Sequence, residues 1–237
     1  MQKILARQAL TPTGWAKDVC VALDQGRIVA VDADATGTAK LVDLLLPAPV
    51  NLHSHAFQRA MAGLTETRGP DPRDSFWTWR RLMYRFLDRL TPEQVEAIAA
   101  QVFMEMLEAG YGAVAEFHYL HHAVGGTPYA DLAEMAERIV AAAQATGIGL
   151  TLLPVLYTVG GCDGRSLDVV QRRFGNDLDC YADLHAASSR ALERGHWDDR
   201  MGYAAHSLRA VPPDALTRMV EIAAEGPVHM HLAEKVA

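Results

Sequence analysis

Asn51-Leu52-His53-Ser54-His55 closes one short apolar run of the sequence, and Val228-His229-Met230-His231-Leu232-Ala233-Glu234 closes another near the C-terminal end. On a strand, residues i and i+2 point to the same face, so each H-x-H pair can aim two imidazoles at one ion, at about 2.0–2.1 Å if the ion is zinc. One such pair carries little weight. Two pairs at equivalent strand ends of one sheet point to a shared metal site. Spacing leaves His229 and His231 equivalent as ligands, and Glu234, just beyond the strand, is placed to act as general base on a metal-activated water rather than as a ligand. A neutral, nitrogen-rich set suits one zinc ion, although iron and manganese accept the same donors.

Around these two motifs the chain alternates apolar runs with helical periodicity. Strands are expected within the run Leu44 to Leu52, which Pro47 and Pro49 break, and at Gly112 to Phe117, Gly149 to Tyr157, Met201 to His206 and Pro227 to Leu232. The clearest helix is Pro92 to Ala109: Thr91 is the N-cap, Pro92 stands at the first helical position, Gln94 completes a capping box and Gly110 closes the end. The same spacing recurs at Leu132, Met135, Ala136, Ile139, Val140 and Ala143 up to Gly147, and at Leu216, Met219, Val220 and Ala223 up to Gly226. Near-continuous apolar strands between amphipathic helices imply an α/β fold with parallel strands buried on both faces, either doubly wound or a (β/α) barrel. In a barrel, the polar stretch Gly160 to Asp179 lies at the C-terminal mouth, where active sites collect. Ahead of all this, Val19, Val21 and Leu23 alternate with smaller residues, Asp24-Gln25-Gly26 supplies a turn and Arg27 to Val31 begins a second strand, which together read as a small β unit.

The composition sets limits. Of 237 residues, 50% are hydrophobic and 22% charged, with a formal charge of −7. That excludes intrinsic disorder and leaves no electrostatic footprint for nucleic acid or an anionic membrane. No apolar run is long enough to span a bilayer and the N-terminus lacks a signal-peptide core, so a cytoplasmic location is expected. Cys20, Cys162 and Cys180 are an odd set without a C-x-x-C pair, which predicts reduced, mostly buried thiols.

Further candidates lie at the remaining strand ends. His206-Ser207-Leu208-Arg209 offers a guanidinium able to bind a carboxylate bidentately, which would make the substrate an acid. His118, His121 and His122 read as loop histidines without an assigned role. The cluster Phe76-Trp77-Thr78-Trp79-Arg80-Arg81 reads as core or subunit interface, with one cationic side chain able to reach the mouth. No phosphate-binding Gly-rich loop, P-loop or G-x-S-x-G elbow is present, which argues against nucleotide-dependent and serine-hydrolase chemistry.

With these residues in view, the chain resembles the amidohydrolase superfamily, and within it the N-formimino-L-glutamate deiminases of histidine degradation. The likeness is carried by Asn51 to Leu64, Ser75 to Arg80, Ala115 to Tyr119, Gly147 to Tyr157, Gln171 to Phe174, His206 to Val211 and Val228 to Glu234. It implies a partial (β/α)8 TIM-like barrel of about five βα units over residues 44–237, preceded by part of a small β-sandwich domain over 1–43. It implies zinc on His53, His55 and His231, choosing His231 over His229. It also implies Glu234 as proton shuttle and Gln58, Arg80, Tyr119, His206 and Arg209 as contacts to a small amidine amino-acid substrate. The reaction implied is hydrolytic deimination to N-formyl-L-glutamate and ammonia, by a homodimer. Pro47-Ala48-Pro49-Val50 departs from the superfamily, which writes Gly after the first Pro. An eight-stranded barrel also calls for a strand-six histidine and a strand-eight aspartate, which have no counterpart up to Ala237, so residues 1–237 alone are expected to be nearly inactive. Another zinc aminohydrolase of the superfamily, or a non-catalytic remnant, are the competing readings.

Overall fold

The computed structural model describes residues 1–32, 37–65, 76–223 and 226–232, and divides into two compact units, Met1–Ala48 and Pro49–Ala237. The first unit holds β1 (Gln2–Thr11), β2 (Gly14–Asp24), β3 (Arg27–Val31) and β4 (Lys40–Leu45) in the order β3-β2-β1-β4. β1 and β2 form a long antiparallel hairpin from Gln2↔Leu23 to Thr11↔Gly14, while β4 runs parallel to β1. The β2–β3 turn falls at Gln25-Gly26, where both residues have positive φ (47° and 79°), the two-residue geometry that matches the twist of paired strands. Ala6, Ala9, Val19 and Val21 form the small core of this unit.

The second unit is built on parallel strands β5 (Val50–Ser54), β6 (Ala113–His118), β7 (Gly149–Leu156), β9 (Tyr203–Ser207) and β10 (Val228–His231), ordered β10-β9-β7-β6-β5, with the two-residue β8 (Arg200–Met201) pairing with β7. Helices α1 (Phe76–Leu87), α2 (Pro92–Glu108), α3 (Glu134–Thr146), α4 (Leu178–Leu192) and α5 (Pro213–Ile222) alternate with them. This is a parallel half-barrel of the TIM type. β7 is buried from Leu152 to Leu156, as a strand covered on both faces must be. Its side chains join Phe103 of α2 and Met135 and Ile139 of α3 in one core. The capping box at Thr91 and Gln94 is formed, and α3 ends on Gly147 with φ 80°, a left-handed conformation that glycine adopts without strain.

Several expectations need correction. The run Leu44 to Leu52, broken at Pro47 and Pro49 as expected, counts as parts of two strands rather than one: the prolines withhold backbone donors, and its halves fall to β4 of the first sheet and β5 of the second. β1 and α4 had no clear periodic signal. α4 begins at Leu178, inside the expected loop, because the Asp177 side chain accepts the Cys180 N–H at 2.8 Å and caps it. Only Cys20 is a buried thiol; Cys162 and Cys180 are exposed.

Candidate active site

β5 ends on alternating side chains. His53 and His55 turn to one face, and Ser54 turns to the other, opposite Glu116 of β6. His53 Nε2 lies 3.1 Å from His55 Nε2 and 3.1 Å from His231 Nε2 at the end of β10. The three ligand nitrogens all lie within 4.8 Å of one another, the one such group of three or more potential ligands among the described residues. Tetrahedral zinc–nitrogen bonds would set such nitrogens about 3.3 Å apart, so the set fits a zinc-sized ion. The orientation of His55 agrees: its Nδ1–H donates to the Phe117 carbonyl at 3.1 Å, which leaves Nε2 as the lone-pair nitrogen. Burial, with the neighbouring His53 and His231 adding to it, holds the His55 imidazole down at about 3, so it stays neutral. His229 stands outside the group.

The convergence depends on irregularities that no periodic pattern announces. The β5–β6 register slips between Asn51 and Ser54, and the β10–β9 register slips between Met230 and His231, opposite His206. Each extra residue re-aims the strand end at the point where a histidine must turn inward. Phe117 of β6 forms the wall behind them, its ring centroid 4.6 Å from His231, 5.1 Å from His53 and 5.2 Å from His55.

Beside the histidines opens a cavity of about 360 Å³, lined by His55, His231, Gln58, Arg80, Tyr119, His206 and Arg209 together with Trp79, Met83, Tyr84, Tyr157, Phe174 and Leu232. All five residues expected to touch substrate therefore share one space. Tyr119 is buried; its O–H points to Met83 Sδ at 3.7 Å and its oxygen accepts from Gln58 Nε2 at 3.0 Å. Burial raises its phenol pKa, which keeps the proton on. His206 is buried, with Nδ1 3.0 Å from Ser207 Oγ; burial first, then His231 and Arg209, hold it well below the usual histidine range. Arg80 comes from α1, where its guanidinium lies 4.8 Å from the Tyr84 ring centroid. Arg209 Nη1 donates to Tyr157 Oη at 3.0 Å. Two arginines among neutral walls favour an anionic ligand. Glu234 lies outside the described residues.

On the opposite face of β6, Glu116 is buried and its Oε1 accepts the Ala56 N–H at 2.7 Å; burial pushes its pKa up to about 8. His118, expected in a loop, ends β6, while His121 and His122 follow it; all three are buried, and the last two bond the Val155 and Gly175 carbonyls at 3.0 and 2.8 Å. Arg173 is fully buried and donates to the carbonyls of His122, Leu87 and Leu90, tying the end of α1 to the loop after β6. Tyr157, Gln171 and Arg173 had no assigned role in the sequence; position just past a strand end was the available signal for Tyr157.

The description "Amidohydrolase family" matches residues 44–237, and "Formimidoylglutamate deiminase HutF, N-terminal domain" matches residues 1–40. Formimidoylglutamate deiminase of Pseudomonas aeruginosa is 50% identical over 99% of this chain and 52% of its own length. The crystal structure of an amidohydrolase from Brucella melitensis is 47% identical with a TM-score of 0.93, over 99% of this chain and 52% of that one. Atrazine chlorohydrolase TrzN from Arthrobacter aurescens TC1, solved with zinc, shares the fold at 18% identity and a TM-score of 0.74, over 98% and 52% of the two chains. The chain thus spans about half the length of this Pseudomonas relative. It is a homologue of formimidoylglutamate deiminase, and it belongs to the amidohydrolase family.

Proposed function

We propose that the chain belongs to an enzyme that hydrolyses N-formimino-L-glutamate to N-formyl-L-glutamate and ammonia, as the name of its Pseudomonas relative suggests. The observation carrying the reading is the meeting of three histidine nitrogens within 4.8 Å at the rim of a cavity that holds two arginines. In this reading zinc is held by His53, His55 and His231, where it would supply acidification of a water at neutral pH. Arg80 and Arg209 hold the glutamate portion. Gln58 and Tyr119 orient the formimino end, the Tyr119 phenol staying protonated through burial. His206, neutral in its buried position, offers a ring nitrogen without adding positive charge. Glu234 carries the proton to the departing nitrogen.

The reading places a small β domain at residues 1–43 and the barrel portion at 44–237, in a cytoplasmic homodimer. Two guanidinium groups at the cavity wall suit a substrate that carries carboxylates, which favours the acidic substrate over the neutral purine of the 8-oxoguanine deaminase that aligns with 32% of this chain. The test is ammonia release from N-formimino-L-glutamate together with zinc stoichiometry, on protein of the relatives' length and on residues 1–237. The longer protein should release ammonia and the shorter should bind zinc with very low turnover. Release from guanine-type substrates instead would reject the reading.

A further inference from the structure

One polar group at the cavity wall has no part in the reaction so far. Tyr157 directly follows β7 and is 1% exposed. Its backbone is clamped by Asn176, whose Oδ1 accepts the Tyr157 N–H at 3.1 Å and whose N–H reaches the Tyr157 carbonyl at 3.0 Å. The ring rests against His206 with centroids 4.6 Å apart. Its hydroxyl oxygen accepts twice, from Arg209 Nη1 at 3.0 Å and from Gln171 Nε2 at 3.1 Å. The Gln171 amide is fixed in that sense, because its Oε1 accepts the Asp168 N–H at 2.9 Å while Nε2 also reaches the Gly160 carbonyl at 3.3 Å. A guanidinium only donates. A phenol oxygen has two lone pairs and one proton. With both lone pairs taken, the capacity left at Tyr157 is that of a donor, at the wall of the cavity that Arg80 and Arg209 also line.

We propose that Tyr157 is a specificity-determining residue: its O–H donates to the substrate carboxylate that Arg209 holds, and Gln171 enforces that donor role. The inference rests on the reading of this cavity as the glutamate site. The chemistry selects a carboxylate, which only accepts, over an ammonium, which only donates and would meet donors alone.

The test is calorimetric titration of the chain with N-formyl-L-glutamate. Tyr157→Phe keeps the ring and removes the hydroxyl, and it should weaken binding by about tenfold to a hundredfold, the range for a hydrogen bond to a charged group. In an Arg209→Met background, Tyr157→Phe should still cost at least about threefold, because a direct contact survives loss of the arginine. Gln171→Glu gives a second reading: its carboxylate captures the phenol proton, so affinity should fall although the hydroxyl remains. Unchanged affinity in Tyr157→Phe or Gln171→Glu, a cost that vanishes without Arg209, or no binding by the unaltered chain each overturns the inference. Ammonia release tests the reaction separately: a protein that binds the dicarboxylate through Tyr157 but deiminates nothing retains this inference and loses the proposed activity.

Discussion

The carboxyl of Glu116 accepts the Ala56 N–H at 2.7 Å, so a buried acid on β6 fixes the first residue after His55. Burial pushes that carboxyl from its ordinary 4.5 up to about 8. Between those values the folded chain keeps the proton and the unfolded chain has released it. Stability therefore falls as pH rises from 4.5 to about 8, and this contribution is flat below and above that window. The slope approaches ~1.4 kcal/mol per pH unit at its steepest. Glu116→Gln should remove it, as urea unfolding at about pH 5 and about pH 7.5 will show. Parallel pH dependence in both proteins would contradict the assignment.

Two histidines on one strand should differ in their effect on metal binding. His231 has Nε2 3.1 Å from His53 Nε2, whereas His229 lies outside the group. His231→Ala should weaken zinc binding by more than about 100-fold, beyond the loss caused by removing an outer partner, and His229→Ala by less than about tenfold. Competition against a chelating dye measures both. Equal losses would move the site.

For the proposed proton shuttle, Glu234→Gln in protein of the relatives' length should lower ammonia release by about 10²- to 10⁴-fold, the usual scale for general acid–base groups. Glu108→Gln, on the exposed end of α2, is the matched control and should change nothing. Metal content should be the same in both variants.

Arg173→Met should destabilise the fold by roughly 3 kcal/mol or more, because the carbonyls of Leu87, Leu90 and His122 lose their donor at once. Since α1 carries Arg80, the same variant should also bind N-formyl-L-glutamate more weakly. Chemical denaturation and calorimetry test the two effects, and a stability change below about 1 kcal/mol would show that other groups serve those carbonyls.

Most of this architecture was legible because its signals are local. Thr91, Pro92 and Gln94 write a helix start that forms as written. The short apolar run Gly149 to Tyr157, set among amphipathic helices, read as a strand covered on both faces and forms as β7. The division of Leu44 to Leu52 between two sheets was not legible, since apolarity does not say which sheet a strand will join. The histidine pair at 53 and 55 was readable from strand alternation, but spacing alone could not choose His231 over His229; the register slip opposite His206 aims that strand end, and slips leave no periodic trace. The donor role of Tyr157 depends on Gln171 and Arg209, which meet it from two other loops.

The order of the second sheet has a mechanical consequence. β5 and β10 are its opposite edges, separated by three strands, and would stand ~19 Å apart if the sheet were flat. Instead His53 and His231, 178 residues apart in sequence, bring their ring nitrogens to 3.1 Å. An ion seated there would work as a clasp, holding the curl of the whole sheet and closing a loop that takes in about three quarters of the chain. Its removal should slacken both edges together, with β5 and β10 gaining amide exchange in step while β6 and β7 between them stay protected.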